Sequence, residues 1–230
     1  MQEILYYIIF GMTALAVSPF LTGFINLFVK QELENKKEYK PKFDLKVTLI
    51  TVLVILSLFY FHGITLEFYI YSIVSLMLIM CMFADLKAQI IPNEVNFVGF
   101  LIGLCYAYYK MCVDVLLGLD LLAGMLTGAI IFLLIAGFAI VVYKKEGMGG
   151  GDVKLMGMLG LFFGFANIIQ IFILSFVIGA IASIVLLATK IKKMDDYIAF
   201  GPYIVVGAYI TMFVPASVLV PQILTFLNNI

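Results

Sequence analysis

VLLGLDLLAGMLTGAIIFLLIAGFAIVVYKKEGMGGGDVKLMGMLGLFFG, residues 115–164, sets a long apolar run ending at Tyr143 against a second one starting at Leu155. At about 1.5 Å per residue the first run is long enough to cross a bilayer as a helix. The break between the runs is polar and crowded with glycine, and GMGGGDVK at 147–154 contains one acid, Asp152. Glycines here let the backbone adopt left-handed or strained dihedrals and lie close to an extended chain. An acid at the edge of an apolar slab calls for a partner. The best candidate is Asp85 in FADLKAQIIPNEVN, which abuts the end of another apolar run.

Working outward, the same pattern fills the chain. Hydrophobic residues make up 64% of it and charged residues 12%, and the mean hydropathy is +1.16, far outside the soluble range. The expected fold is all-α, a polytopic membrane helix bundle of about eight transmembrane helices. The runs are 4–29, 47–61, 66–84, 95–109, 115–143, 155–165, 168–189 and 198–227. Several are short for a full span, so flanking residues contribute or the bilayer thins. The division between 165 and 168 rests on the turn FGFAN at 163–167. The first run is too long for a signal-peptide core and lacks a basic leader, so it reads as a first span.

Every basic residue is lysine, which leaves no bidentate arginine clamp. Lysines in short loops mark the cytoplasmic side. An outside N-terminus puts loops 30–46, 85–94, 144–154 and 190–196 in the cytoplasm, with thirteen of the fourteen lysines; Lys110 is the exception. Asp85 and Asp152 then share the cytoplasmic face. Net charge is zero, so no field argues for nucleic acid. Cys81, Cys105, Cys112 and the single His62 form no ligand pattern, and neither a metal nor another cofactor is expected.

Three ordered stretches carry a resemblance. ADLKAQIIPNEVN at 84–96, GMGGGDVKLMGMLGLFFG at 147–164 and FGPYIVVGA at 200–208 resemble blocks of the prepilin peptidases, the GxGD-type membrane aspartic peptidases of type IV pilin-like precursors. SPFLTGFIN at 18–26 is a weaker match to their first helix; together these cover about a quarter of the chain. The resemblance implies one membrane-embedded peptidase domain over 1–230, with N-terminal helices and a cytoplasmic loop in 1–65 and a catalytic core in 66–230. It implies catalytic roles for Asp85 and Asp152 and an active-site loop of Gly149, Gly150, Gly151 and Lys154. Supporting positions are Lys87, Pro92, Asn93, Gly201 and Pro202. It further implies pilin or archaellin precursors as partners, a multi-pass place in the cell membrane, and a site at the cytoplasmic face. Loop 30–46 lacks the cysteine pairs of bifunctional bacterial members, so zinc binding and N-methylation are not expected, and a peptidase-only enzyme of the archaeal kind is.

The chemistry agrees with the resemblance. Without metal, serine triad or nucleophilic cysteine, peptide hydrolysis needs a base to activate water and an acid to protonate the leaving nitrogen. Two carboxylates sharing one proton supply both. Lys87 and Lys154 follow the two acids by two residues, which positive-inside topology also explains. Pro92 with Asn93, and Gly201 with Pro202, read as helix starts. Gly157, Gly160 and Gly164 allow close helix approach. Structural alternatives are helix capping by Asp85 or Asp152. Asp195 and Asp196 read as solvated, and Glu67, Asp114 and Asp120 fall on the outer side. Rival functions are a proton- or cation-coupled transporter, which terminal acids and the lack of an inverted repeat disfavour, and a presenilin-like intramembrane protease, disfavoured by the absent PAL motif.

Overall fold

The computed structural model describes residues 2–33, 44–143, 149–190 and 198–228, and helix is the only regular structure among them. Most of loop 30–46 and Asp195 and Asp196 lie outside the described residues, as does the start of the glycine stretch. The described residues form eight helices: α1 (Gln2–Leu33), α2 (Leu45–His62), α3 (Leu66–Ala88), α4 (Asn93–Val113), α5 (Val115–Tyr143), α6 (Gly150–Ala188), α7 (Gly201–Phe213) and α8 (Ala216–Asn228). α1 to α6 are long and apolar enough to cross a membrane. The chain is a multi-pass helical membrane protein.

Two compact units divide it, Met1–Val95 and Asn96–Ile230. In the first, α1, α2 and α3 pack together. Their common seam is aromatic, with Phe59 meeting Tyr7 at 4.8 Å and Phe10 at 5.0 Å, and Phe68 meeting Phe10 at 4.8 Å. Local chemistry starts and stops these helices. Asp44 caps α2 by accepting the Lys46 N–H, Gly63 ends α2 at φ 59°, and the Thr65 hydroxyl accepts the Phe68 N–H to open α3.

The second unit is built around α6. As one straight helix its 39 residues would reach about 58 Å, nearly twice a bilayer core. It does not run straight, because Gly164 is non-helical at φ 77°, ψ −179°. That region is open essentially to glycine alone. A Cβ at Gly128 of α5 would touch both the Met156 carbonyl and the Ile168 side chain. Those two residues would stand about 18 Å apart along a continuous helix, so the chain reverses at Gly164. The Asp120 carboxylate sits at the reversal, packed against Gly164 and accepting the Phe165 N–H at 3.3 Å. It thus serves the first free amide of the returning arm. The break expected within 155–189 is therefore present, and it falls in FGFAN, at Gly164.

The arm from Gly150 to Gly164 is the centre of the unit, and from Leu155 onward every residue in it is buried. α4 lies along it, with Phe100 on Gly157, Gly103 on Leu161, and Tyr106 stacked on Phe162 at 6.2 Å. α5 touches it backbone to backbone where Gly124 meets Gly160. The returning arm packs on α7 through Gly179 with Tyr203, and Ser175 with Gly207.

One expectation fails. The run 198–227 is two helices rather than one, bent by 87° at Val214–Pro215. Pro215 has no N–H to continue α7 and forces the residue before it out of the helical region; Val214 sits at φ −128°, ψ 85°. The bend is held by side chains of α6. The Gln170 amide donates to the Val214 carbonyl at 2.7 Å, and Asn167 accepts the Ala216 N–H at 2.8 Å.

Gly164→Ala should lower stability by about 2 kcal/mol or more, since it combines a forbidden φ with a Cβ driven into Asp120. Gly137→Ala, where a Cβ meets nothing within 4 Å, should fall within about 0.5 kcal/mol of the unsubstituted protein. Thermal unfolding in detergent micelles separates the two; equal melting temperatures would refute the reversal at Gly164.

Candidate active site

Asp85 belongs to the first unit. Val74, Leu78, Cys81 and Asp85 recur at helical spacing along one stripe of α3, and all four are buried, with the Asp85 residue 5% exposed. The helix continues one turn past it. The Asp85 carbonyl accepts the Gln89 N–H at 2.8 Å, and Gln89 closes α3 in the left-handed region at φ 56°. Asp85 is therefore an interior residue of the last turn and does not cap the helix.

Asp152 belongs to the second unit and is also 5% exposed. It stands in the first turn of α6, its N–H bonded to the Gly149 carbonyl at 3.0 Å. The N-cap is Gly149, with no side-chain cap, so the alternative in which Asp152 caps a helix starting at Val153 is wrong by three residues. The two acids meet opposite backbone fields. A helix N-terminus favours negative charge, as at Asp152, and a C-terminus opposes it, as at Asp85.

The glycines of the loop act differently from expectation. Gly149 is extended at φ −67°, ψ 136°, and Gly150 and Gly151 are helical; among the described residues, positive-φ glycines occur at Gly63 and Gly164 alone. Their contribution is lack of bulk. A Cβ built on Gly150 meets nothing within 4 Å, so the backbone at the start of α6 faces open space. Lys154 is exposed.

The remaining expected positions are structural starts. α4 begins at Asn93, directly after Pro92. α7 begins at Gly201 with Pro202 in its first turn, and Phe200 and Tyr203 flank Gly179 on the returning arm. Gly179 lies 15 residues after the reversal and Asp152 lies 12 before it, so α7 starts at the Asp152 end of the unit. Lys87 is committed elsewhere, its Nζ 3.1 Å from Asp44 Oδ2 and 5.9 Å from the Phe83 ring. Among the described residues no group of three or more His, Cys, Asp or Glu is arranged to hold a metal ion. Sequence reasoning missed Asp44, the cap of α2; Asp120, the brace of the reversal; and Asn96, buried in the first turn of α4. Asn96 had a signal, since it shares the Phe100 and Gly103 face of α4.

These features define a multi-pass helical membrane protein with one buried carboxylate in the closing turn of an apolar helix and another in the opening turn of a second. Residues 72–184, about half of the chain and holding both aspartates, match the type IV leader peptidase family, and the chain belongs to that family. Curated relatives carry the name prepilin leader peptidase/N-methyltransferase. The protein of Legionella pneumophila is 29% identical over 72% of this chain and 56% of its own length. That of Pseudomonas putida is 29% identical over 56% and 43%, and that of Pseudomonas aeruginosa 37% identical over 31% and 24%. The chain spans about half the length of the first two. No solved structure matches it.

The Lys87–Asp44 pair is about one-quarter exposed on both sides, so its strength is limited by solvent. Lys87→Met should cost under about 1 kcal/mol. Asp44→Ala, which also removes the cap of α2, should cost about 1–2 kcal/mol. Unfolding in micelles checks the ranking, and a Lys87→Met loss exceeding that of Asp44→Ala would contradict it.

Proposed function

We propose that this chain is a membrane aspartic endopeptidase that removes the short leader from type IV pilin-like precursors, pilin or archaellin, with Asp85 and Asp152 as its catalytic pair. The observation that carries the reading is the burial of both acids in terminal turns of apolar helices, within the segment that matches the leader peptidases. Carboxylates are seldom buried this far, and functional sites are one place where they are.

In this reading one carboxylate is ionised and takes a proton from water, while the other is protonated and gives its proton to the departing amide nitrogen. Two acids a few ångströms apart titrate as a pair, which keeps one proton between them. The charged member draws the proton from water as the hydroxide attacks the scissile carbonyl.

The lysine distribution supports a cytoplasmic-face site. A precursor with a cytoplasmic leader and an apolar helix in the bilayer would present its cut at that depth. Of the relatives' double name, the peptidase half is proposed here, because loop 30–46 has no cysteine.

Membranes containing the unsubstituted protein should shorten a pilin or archaellin precursor just before its apolar helix. Asp85→Asn and Asp152→Asn should each lower that rate by at least roughly a thousandfold, since neither half of the proton transfer has a substitute. Electrophoretic shift and N-terminal sequencing of the product provide the readout, and full activity in either variant would refute the pair.

A further inference from the structure

Asn96 stands in the first turn of α4, 2% exposed, and neither its amide nitrogen nor its amide oxygen has a hydrogen-bond partner among the described residues. Other buried polar side chains of the same unit make at least one hydrogen bond, although Gln170 Oε1 has no partner among the described residues. Ser175 and Thr211 return their hydroxyls to carbonyls one turn back, and Gln170 and Asn167 brace the α7–α8 bend. A primary amide offers two donors and one acceptor, and leaving them bare inside a protein is expensive. An apolar residue of similar size would fill the same place without that cost.

Its location gives the amide a use. Asn96, Phe100 and Gly103 are spaced i, i+4, i+7 and share one face of α4. Phe100 rests on Gly157 and Gly103 on Leu161, so α4 and the first arm of α6 run in the same direction with a constant offset. One turn earlier, that offset brings Asn96 level with Val153 and Lys154, next to Asp152 in the first turn of α6. At this level α6 starts on Gly149 without a side-chain cap, and Gly150 leaves open space where a Cβ would stand. A buried free amide, a buried carboxylate and a bare glycine backbone therefore lie at one end of the second unit.

We propose that Asn96 is a substrate-positioning residue, whose side-chain amide pairs with the main chain of an extended peptide and holds the segment to be cut beside Asp152. This rests on the peptidase reading above. An amide matches a peptide group donor to acceptor and acceptor to donor, and recognises it whatever the side chains are. The open space at Gly150 leaves room for the second backbone.

The test is cleavage of synthetic precursor peptides, in detergent, by the unsubstituted protein and by Asn96→Leu. In one series, each backbone amide near the cut is replaced in turn by an ester, which deletes one N–H. Asn96→Leu should lower kcat/KM roughly tenfold or more on the all-amide peptide. Its thermal unfolding should match or exceed that of the unsubstituted protein, because the bare amide is gone. One ester position should slow the unsubstituted protein roughly tenfold and leave Asn96→Leu nearly unchanged, a coupling that a structural role would not produce. If Asn96→Leu unfolds, Asn96→Thr, which keeps a donor and an acceptor, takes its place with an intermediate rate and the same weakened ester effect. Normal cleavage by Asn96→Leu, or equal ester effects in both proteins, overturns the positioning role and leaves the peptidase reading standing. No cleavage by the unsubstituted protein overturns both.

Discussion

Backbone contact between α5 and the first arm of α6, where Gly124 meets Gly160, is the constraint on which the second unit depends. Lipid tails are as apolar as leucine, so helices in a bilayer associate through close packing rather than through escape from water. Two facing glycines remove the side chains that would hold the axes apart. The arm that results is buried all round from Leu155 to Gly164, and its opening turn carries Asp152. The same closeness leaves Gly164 as a residue that can take φ 77° and reverse the chain, and brings Asp120 to its free amide.

Polar groups in this environment must find partners, because no solvent competes for them. Most do so locally. Thr22, Thr51, Ser175, Ser183 and Thr211 bond carbonyls four residues back. Others act over distance: Gln170 and Asn167 hold a bend that proline creates and cannot stabilise by itself. Against that economy the amide of Asn96 stands apart, since neither of its polar atoms has a partner among the described residues. Polar residues kept where an apolar one would pack are the mark of a site.

Much of this was legible in the chain because the signals are local. Apolar runs long enough to span announce their helices by composition alone. Pro92–Asn93 and Gly201–Pro202 start helices because proline suits a first turn and disrupts what precedes it. The reversal at FGFAN was visible as a polar interruption carrying a glycine. Pro215 carried the same kind of signal, but the long apolar run around it outweighed the break, and α7 and α8 were read as one. The glycines before Asp152 were expected to supply unusual dihedrals; they adopt ordinary ones and contribute missing bulk instead.

The amino-acid sequence by itself determined the helical class, the membrane setting, the main helix boundaries and the two candidate acids, since each follows from residues within a turn or two of one another. Tertiary structure decided what needed residues 40 to 60 positions apart. Examples are Asp120 at the Phe165 amide, Lys87 on Asp44, Gln170 on Val214, and the offset that sets Asn96 beside the opening of α6. Helical periodicity tells which face a residue occupies, but not which neighbour that face will meet. That neighbour is chosen by packing, and here packing is set where two glycine backbones touch.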